Sequence, residues 1–240
     1  MTAEPRPPSR QAAWREGLTV LEPARLALNG LQLARQPRGD GRVVFVLPGL
    51  GGNDASTVPI RGYLRGIGYD ARGWGLGINT GDIRSFVVAM IRQLEPLVAE
   101  RGAPLPLVGW SLGGVVSREV ARERPGLVEQ VITFGSPIRG GPKYTRVGAA
   151  YEARGIDVDE IARMIDQRNA TRPIRVPVTA MYTKGDGVVS WESCIDHVTP
   201  NARNIEVHTT HLGLGLHHRV YVEVARALAR GAKPSGVNRP

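Results

Sequence analysis

Serine is a weak nucleophile until a neighbouring base removes its proton, so a reactive serine must be both sharply presented and accompanied. Ser111 meets the first condition. It stands in Gly109-Trp110-Ser111-Leu112-Gly113, directly after the apolar run Leu105–Val108 and directly before a helical segment, Leu112–Arg124, that stops at Pro125. A tight strand-to-helix turn between glycines lifts the hydroxyl above a sheet, at a helix N-terminus whose dipole favours developing negative charge. Alone the pentapeptide is a modest signal, since glycine and serine are common; between a buried strand and a helix it is a strong one.

On an elbow of this kind the acid and then the base follow in chain order. Asp186 lies just past the run Val176–Tyr182, in Lys184-Gly185-Asp186-Gly187-Val188-Val189, where flanking glycines suit a turn that presents a carboxylate. Asp196 is the reserve candidate, in a less definite setting. Of the histidines 197, 208, 211, 217 and 218, His211 best fits the base, in a loop three residues beyond the strand expected over Asn204–His208. His208, next in line, would project from that strand, and His217 and His218 would lie on the surface in the first turn of the last helix. Two backbone amides must meet the oxyanion. Leu112, after the nucleophile, supplies one; Leu50, in Pro48-Gly49-Leu50-Gly51-Gly52, supplies the other.

Other chemistries are weaker. The glycine-rich stretch 73–81 contains no Gly-x-Gly-x-x-Gly and is followed by no suitably spaced acid, so dinucleotide binding is not expected. The loop 49–52 lacks the Gly-Lys-Ser/Thr ending of a phosphate-binding loop. The histidines have no cysteine or acidic partners at ligand spacing, so neither a metal nor another cofactor is expected. Trp191 reads as core or pocket lining, and Cys194, the single cysteine, as a small buried hydrophobe that excludes an internal disulfide.

The elements that must position these residues alternate regularly. Strands are expected at Arg42–Leu47, Gly68–Trp74, Leu105–Val108, Val131–Phe134, Val176–Tyr182 and Asn204–His208. Helices are expected from Asn53 or Asp54 to Gly66, from Asp82 to Arg101 (kinked or cut short at Pro96), over Ser111–Arg124 and over Leu216–Arg230. Such alternation implies right-handed crossovers and a mostly parallel sheet. Residues 14–35 suggest a short helix and then an edge strand. One connection, Ile138–Arg175, is far longer than an ordinary crossover and holds two expected helices, Tyr144–Arg154 and Val158–Arg168, the latter capped by Asp157. It is expected to form a cap within a single 1–240 domain, with residues 1–12 and 231–240 as disordered tails.

With 42% hydrophobic and 22% charged residues the composition is that of a soluble globular chain. The net charge of +9 rests almost wholly on scattered arginines without interleaved aromatics, so a nucleic-acid partner is not expected. No apolar run is long enough to span a bilayer, and the first residues have no secretory pattern, so the chain reads as cytoplasmic. Peripheral contact with lipid stays open, as does the oligomeric state.

With Ser111, Asp186 and His211 in that order, the chain resembles α/β-hydrolase lipases and esterases from about Arg42 to about Arg230. The resemblance is carried by Leu47-Pro48-Gly49-Leu50-Gly51-Gly52, Val108-Gly109-Trp110-Ser111-Leu112-Gly113-Gly114, Tyr182-Thr183-Lys184-Gly185-Asp186-Gly187-Val188-Val189 and His211-Leu212-Gly213-Leu214. It is most similar to bacterial lipase-like hydrolases with a Thr/Arg/Lys-x-Asp-Gly-Val-Val acid stretch and a His-x-Gly-Leu base loop. It departs from many of them in having Pro48, not histidine, before Gly49. The resemblance implies an α/β-hydrolase fold: a mostly parallel sheet with helices on both faces and a small helical cap insertion. It also implies hydrolysis of a small-molecule or lipid carboxylic ester through an acyl-enzyme, without metal or organic cofactor. Acyl transfer with the same triad, and a non-catalytic ligand-binding module, are the alternatives.

Overall fold

The computed structural model describes residues 5–231. Val43-Val44-Phe45-Val46-Leu47 has no polar side chain and forms β1 (Val43–Leu47), every residue of which is buried. A strand buried on both faces needs helices on both sides, and its side chains divide accordingly. Val44 and Val46 pack in one core with residues of α4 (Val58–Gly66) and α9 (His218–Gly231). Val43, Phe45 and Leu47 pack in the other, with α5 (Ile83–Arg101) and α6 (Leu112–Glu123). Burying each such Val, Leu or Phe side chain contributes about 1.5–3 kcal/mol.

The remaining strands are β2 (Asp70–Gly73), β3 (Leu105–Trp110), β4 (Val128–Phe134), β5 (Val178–Tyr182) and β6 (Arg203–Glu206). All five pairings are parallel, in the order β2-β1-β3-β4-β5-β6. From β1 the chain moves to β2 on one side, then crosses back to β3 on the other. The carboxyl ends of β1 and β3 therefore flank a topological switch point, where such sheets place their ligands. The loop 48–52 and Ser111 leave from those two ends.

Several expectations are corrected. Residues 14–35 contain no edge strand: the segment forms α1 (Arg10–Arg15), a 3-10 turn Glu16–Leu21, α2 (Glu22–Leu28) and α3 (Gly30–Ala34). Leu26 and Leu33, seven residues apart, both turn onto the core, a helical spacing that outweighs the strand reading. Of the two tails, residues 1–4 and 232–240 lie outside the described residues, while Arg10–Ala12 are helical. Pro96 does not end α5, which runs on to Gly102 in the left-handed conformation at φ +67°. Pro96 and Arg92 are both on the exposed side, so the carbonyl left without a donor can be hydrated. The last strand stops at Glu206, leaving His208 beyond it.

The long connection divides in two. Its first part holds α7 (Gly148–Glu152), shorter than expected, and its second α8 (Val158–Thr171), whose Asp157 accepts the Glu160 amide at 2.9 Å. α8 is fastened to α6: Arg168 pairs with Glu119 and Glu123, and buried Asn169 bonds Arg122 and the Ile138 carbonyl. α7 instead reaches the carboxyl edge of the sheet. Its Tyr151 hydroxyl and the Leu50 side chain both come within 3.4 Å of the space a Cβ on Gly81 would fill. No helix among the described residues is long and apolar enough to cross a membrane.

Candidate active site

The turn after β3 holds Ser111 at φ +51° and ψ −120°. A non-glycine residue there costs about 1–3 kcal/mol of backbone strain, which the surrounding packing must sustain. The glycines show how tight that packing is. A Cβ on Gly113 would lie 2.4 Å from the Leu47 carbonyl oxygen, and one on Gly109 would lie 2.4 Å from the Gly114 backbone. The Ser111 amide donates to the Phe134 carbonyl at 2.9 Å, which ties the elbow to the end of β4.

Two loops downstream meet beside it. Asp186, at the end of β5, is buried; its Oδ1 accepts the Val188 and Val189 amides at 2.9 and 2.7 Å. Its Oδ2 faces His211 Nδ1 at 2.7 Å. The imidazole is equally buried, and a Cβ on Gly135, just past β4, would lie 3.0 Å from its Cε1. Ser111 and His211 thus adjoin consecutive residues at the end of β4, Ser111 through Phe134 and His211 through Gly135. Ser111 Oγ makes no hydrogen bond to the ring among the described residues. Trp110 lies 6.4 Å from the imidazole between ring centres and packs on Gly215.

The Leu50 and Leu112 amides have no hydrogen-bond acceptor among the described residues. A Cβ on Gly49, the residue before Leu50, would lie 3.2 Å from Ser111 Cβ, so the two loops touch. The loop 48–52 is held by the glycine-rich stretch that superficially suggests nucleotide binding. Asn79, fully buried, donates its side-chain amide to Pro48 at 2.9 Å and exchanges backbone bonds of 2.8 Å with Gly51 and Gly52. Asp54 in turn accepts the Trp74 and Gly75 amides. That stretch is a brace.

The reserve candidates stand elsewhere. Asp196 is buried against Arg118 at 2.6 Å, with no histidine on its carboxylate. Burial alone would raise its pKa, but Arg118 and hydrogen bonds from Thr199 outweigh that and hold it below the usual carboxylate value. His208 is exposed, 3.6 Å from Glu206. His217, expected at the surface, is buried: its Nδ1 accepts the Arg219 amide in the first turn of α9, and its ring stacks on half-buried His218. Burial pushes the pKa of both rings down, in keeping with a neutral acceptor.

Trp191 is half-buried, stacked on Tyr182 and covered by the Lys184 ammonium at 5.4 Å. Cys194 is fully buried, and burial pushes its thiol pKa well up, so it is inert at neutral pH. No cluster of three or more His, Cys, Asp or Glu among the described residues is placed to hold a metal. A cleft of about 310 Å³ opens between the N-terminal segment and the loops after β5 and β6, lined by Arg15, Leu18, Thr183, Gly185 and His208 but not by Ser111. The sequence reading does not single out Glu16, whose carboxylate accepts the Gly187, His211 and Leu212 amides, nor Asn79 and Trp110. Glu16 and Asn79 bond partners far along the chain and carry no local signal; Trp110, beside Ser111, reads only as part of the elbow.

No family model and no curated protein matches the chain. Solved structures do. One comes from the pair LipS and LipT, metagenome-derived lipolytic enzymes: it is 15% identical with a TM-score of 0.63, over 82% of this chain and 95% of that one. A monoacylglycerol lipase from Paleococcus ferrophilus is 16% identical with a TM-score of 0.56, over 82% and 97%. A thioesterase domain from the curacin biosynthetic pathway is 15% identical with a TM-score of 0.51, over 81% and 93%. At these identities the likeness establishes the fold, and the fold is that of the α/β hydrolases.

Proposed function

We propose that the protein is a serine hydrolase that cleaves a carboxylic ester through an acyl-enzyme, with Ser111, His211 and Asp186 as its catalytic triad. The observation that carries this reading is the convergence of three loops from separate strands. A strained serine after β3 stands beside a buried carboxylate–imidazole pair, 2.7 Å apart, from the loops after β5 and β6. Ser111 is one of two non-glycine residues at positive φ among the described residues, and strain of this kind clusters at functional sites.

In the first step His211 Nε2 takes the Ser111 hydroxyl proton as Oγ attacks the ester carbonyl. Asp186 holds the ring with Nδ1 protonated, because its Oδ2 is an acceptor only, and offsets the imidazolium charge as it forms. The Leu50 and Leu112 amides, free of other acceptors, take the oxyanion; one such donor is worth about 2.7–4 kcal/mol in the transition state. His211 then protonates the departing alcohol, and water reverses the sequence to release the acid. The exposed Leu50 side chain and the Tyr151 hydroxyl of α7 approach the same point beside Gly81, where they would contact a lipophilic ester.

A fluorophosphonate probe tests this directly. The wild type should take up one phosphonyl group by intact mass, and Ser111→Ala none. A wild type that stays unlabelled overturns the reading.

A further inference from the structure

The loops that carry Asp186 and His211 are joined by one carboxylate from the opposite end of the chain. Glu16 opens the 3-10 turn after α1. Its Oε1 accepts the Gly187 amide at 2.8 Å and the His211 amide at 2.9 Å, and its Oε2 accepts the Leu212 amide at 2.9 Å. Those amides belong to the residue after the acid, to the base itself and to the residue after the base. No ion pair of Glu16 is found among the described residues, and its hydrogen-bond donors there are these three backbone N–H groups.

The approach is close: a Cβ on Gly187 would lie 2.5 Å from the Ala12 carbonyl oxygen, so α1 rests on the acid loop itself. Further along the same segment, Thr19 Oγ1 meets Thr210 Oγ1 at 2.8 Å, and buried Glu22 accepts the Thr209 hydroxyl at 2.9 Å. The N-terminal segment thus bonds residues 209, 210, 211 and 212 in succession.

We infer that Glu16 is a positioning residue, which sets the Asp186–His211 distance by holding both loops at once, and that residues 10–22 are thereby part of the active site. The inference rests on the triad reading. The acid and base sit on loops from different strands, and loops are the least constrained parts of such a scaffold. Three charge-assisted hydrogen bonds to one carboxylate restrain them relative to each other. Glutamine cannot replace it: three N–H donors converge on the group, and an amide has one acceptor oxygen and would set its own NH₂ against a backbone N–H.

The test compares wild type, Glu16→Gln and Glu16→Asp in three readouts: fluorophosphonate labelling rate, the kcat and KM for a p-nitrophenyl ester, and the low-field proton resonance of the His211–Asp186 hydrogen bond. For folded Glu16→Gln, labelling and kcat should fall by roughly 10- to 100-fold, as a displacement of order 1 Å would cause. KM should stay within about twofold, because the substrate does not touch Glu16, and the low-field resonance should broaden or vanish. Glu16→Asp, which keeps both acceptor oxygens but draws them back by one methylene, should fall between. Wild-type rates and resonance in Glu16→Gln would overturn the inference, as would an activity loss no larger than the loss of folded protein. If Glu16→Gln does not fold, Glu16→Asp carries the test, and wild-type behaviour there overturns it equally. A wild type that resists the probe sinks the hydrolase reading instead, and the resonance still decides whether Glu16 holds the pair.

Discussion

Asp186 and Asp196 build the same turn ten residues apart. Each buries its carboxylate, and each uses Oδ1 to accept the amides two and three residues on: Val188 and Val189 for one, Val198 and Thr199 for the other. The local chemistry, an aspartate closing a turn on its own backbone, is identical. They differ in what meets Oδ2. For Asp186 it is His211 at 2.7 Å; for Asp196 it is Arg118 at 2.6 Å. A guanidinium stays charged and cannot shuttle a proton, so the second pair can only be structural. An imidazole can give up and take back its proton, so the first can do chemistry. A partner brought from elsewhere in the chain decides the role, and the turn itself does not.

The largest expected effect comes from breaking the first pair. Asp186→Asn should lower kcat on the order of 10⁴-fold, because the ring loses the acceptor that fixes its tautomer, while the thermal midpoint changes little. Steady-state kinetics beside a melting curve would check this. Asp196→Asn should do the reverse. It strands a buried guanidinium, at a cost of about 3–5 kcal/mol in chemical denaturation, but leaves kcat per folded molecule unchanged. Should Asp196→Asn abolish turnover in folded protein, the roles of the two carboxylates would have to be exchanged.

A smaller effect sharpens the second half of the comparison. Arg118→Met combined with Asp196→Asn removes the stranded charge and should recover more than half of the lost stability, a coupling that a double-mutant cycle would measure. The smallest effect is on acid stability. Because Asp196 titrates below its ordinary value when folded, the unfolded chain binds more protons as pH falls through that interval. The contribution of Asp196 is therefore present above the ordinary carboxylate pKa and lost as pH drops through the depressed one. Asp196→Asn should show a shallower fall of unfolding free energy with acid there, by urea titration at stepped pH.

This contrast also explains what could be read in advance. Ser111 is legible because an elbow needs a strand, a helix and glycines within ten residues, all of which are local. Asp186 and His211 are legible as turn and loop residues after strands. That Asp196 belongs to Arg118 is not legible, since the two lie 78 positions apart and neither carries a mark of the other. Glu16 and Asn79 were missed for the same reason: each acts by holding backbone groups of distant loops. The edge strand expected within 14–35 does not form; the segment is helical, and the seven-residue spacing of Leu26 and Leu33 brings both onto the core. A first-turn position is usually exposed, which is why the sequence puts His217 at the surface, yet α9 begins inside the fold and His217 is buried.

The most direct measurement is to trap the acyl group. Turnover of a p-nitrophenyl ester, quenched in acid within the first enzyme equivalents and followed by peptide mass spectrometry, should show one acyl group on the peptide bearing Ser111, in wild type but not in Ser111→Ala. An unacylated Ser111 during active turnover, or an acyl group on another residue, would contradict the account.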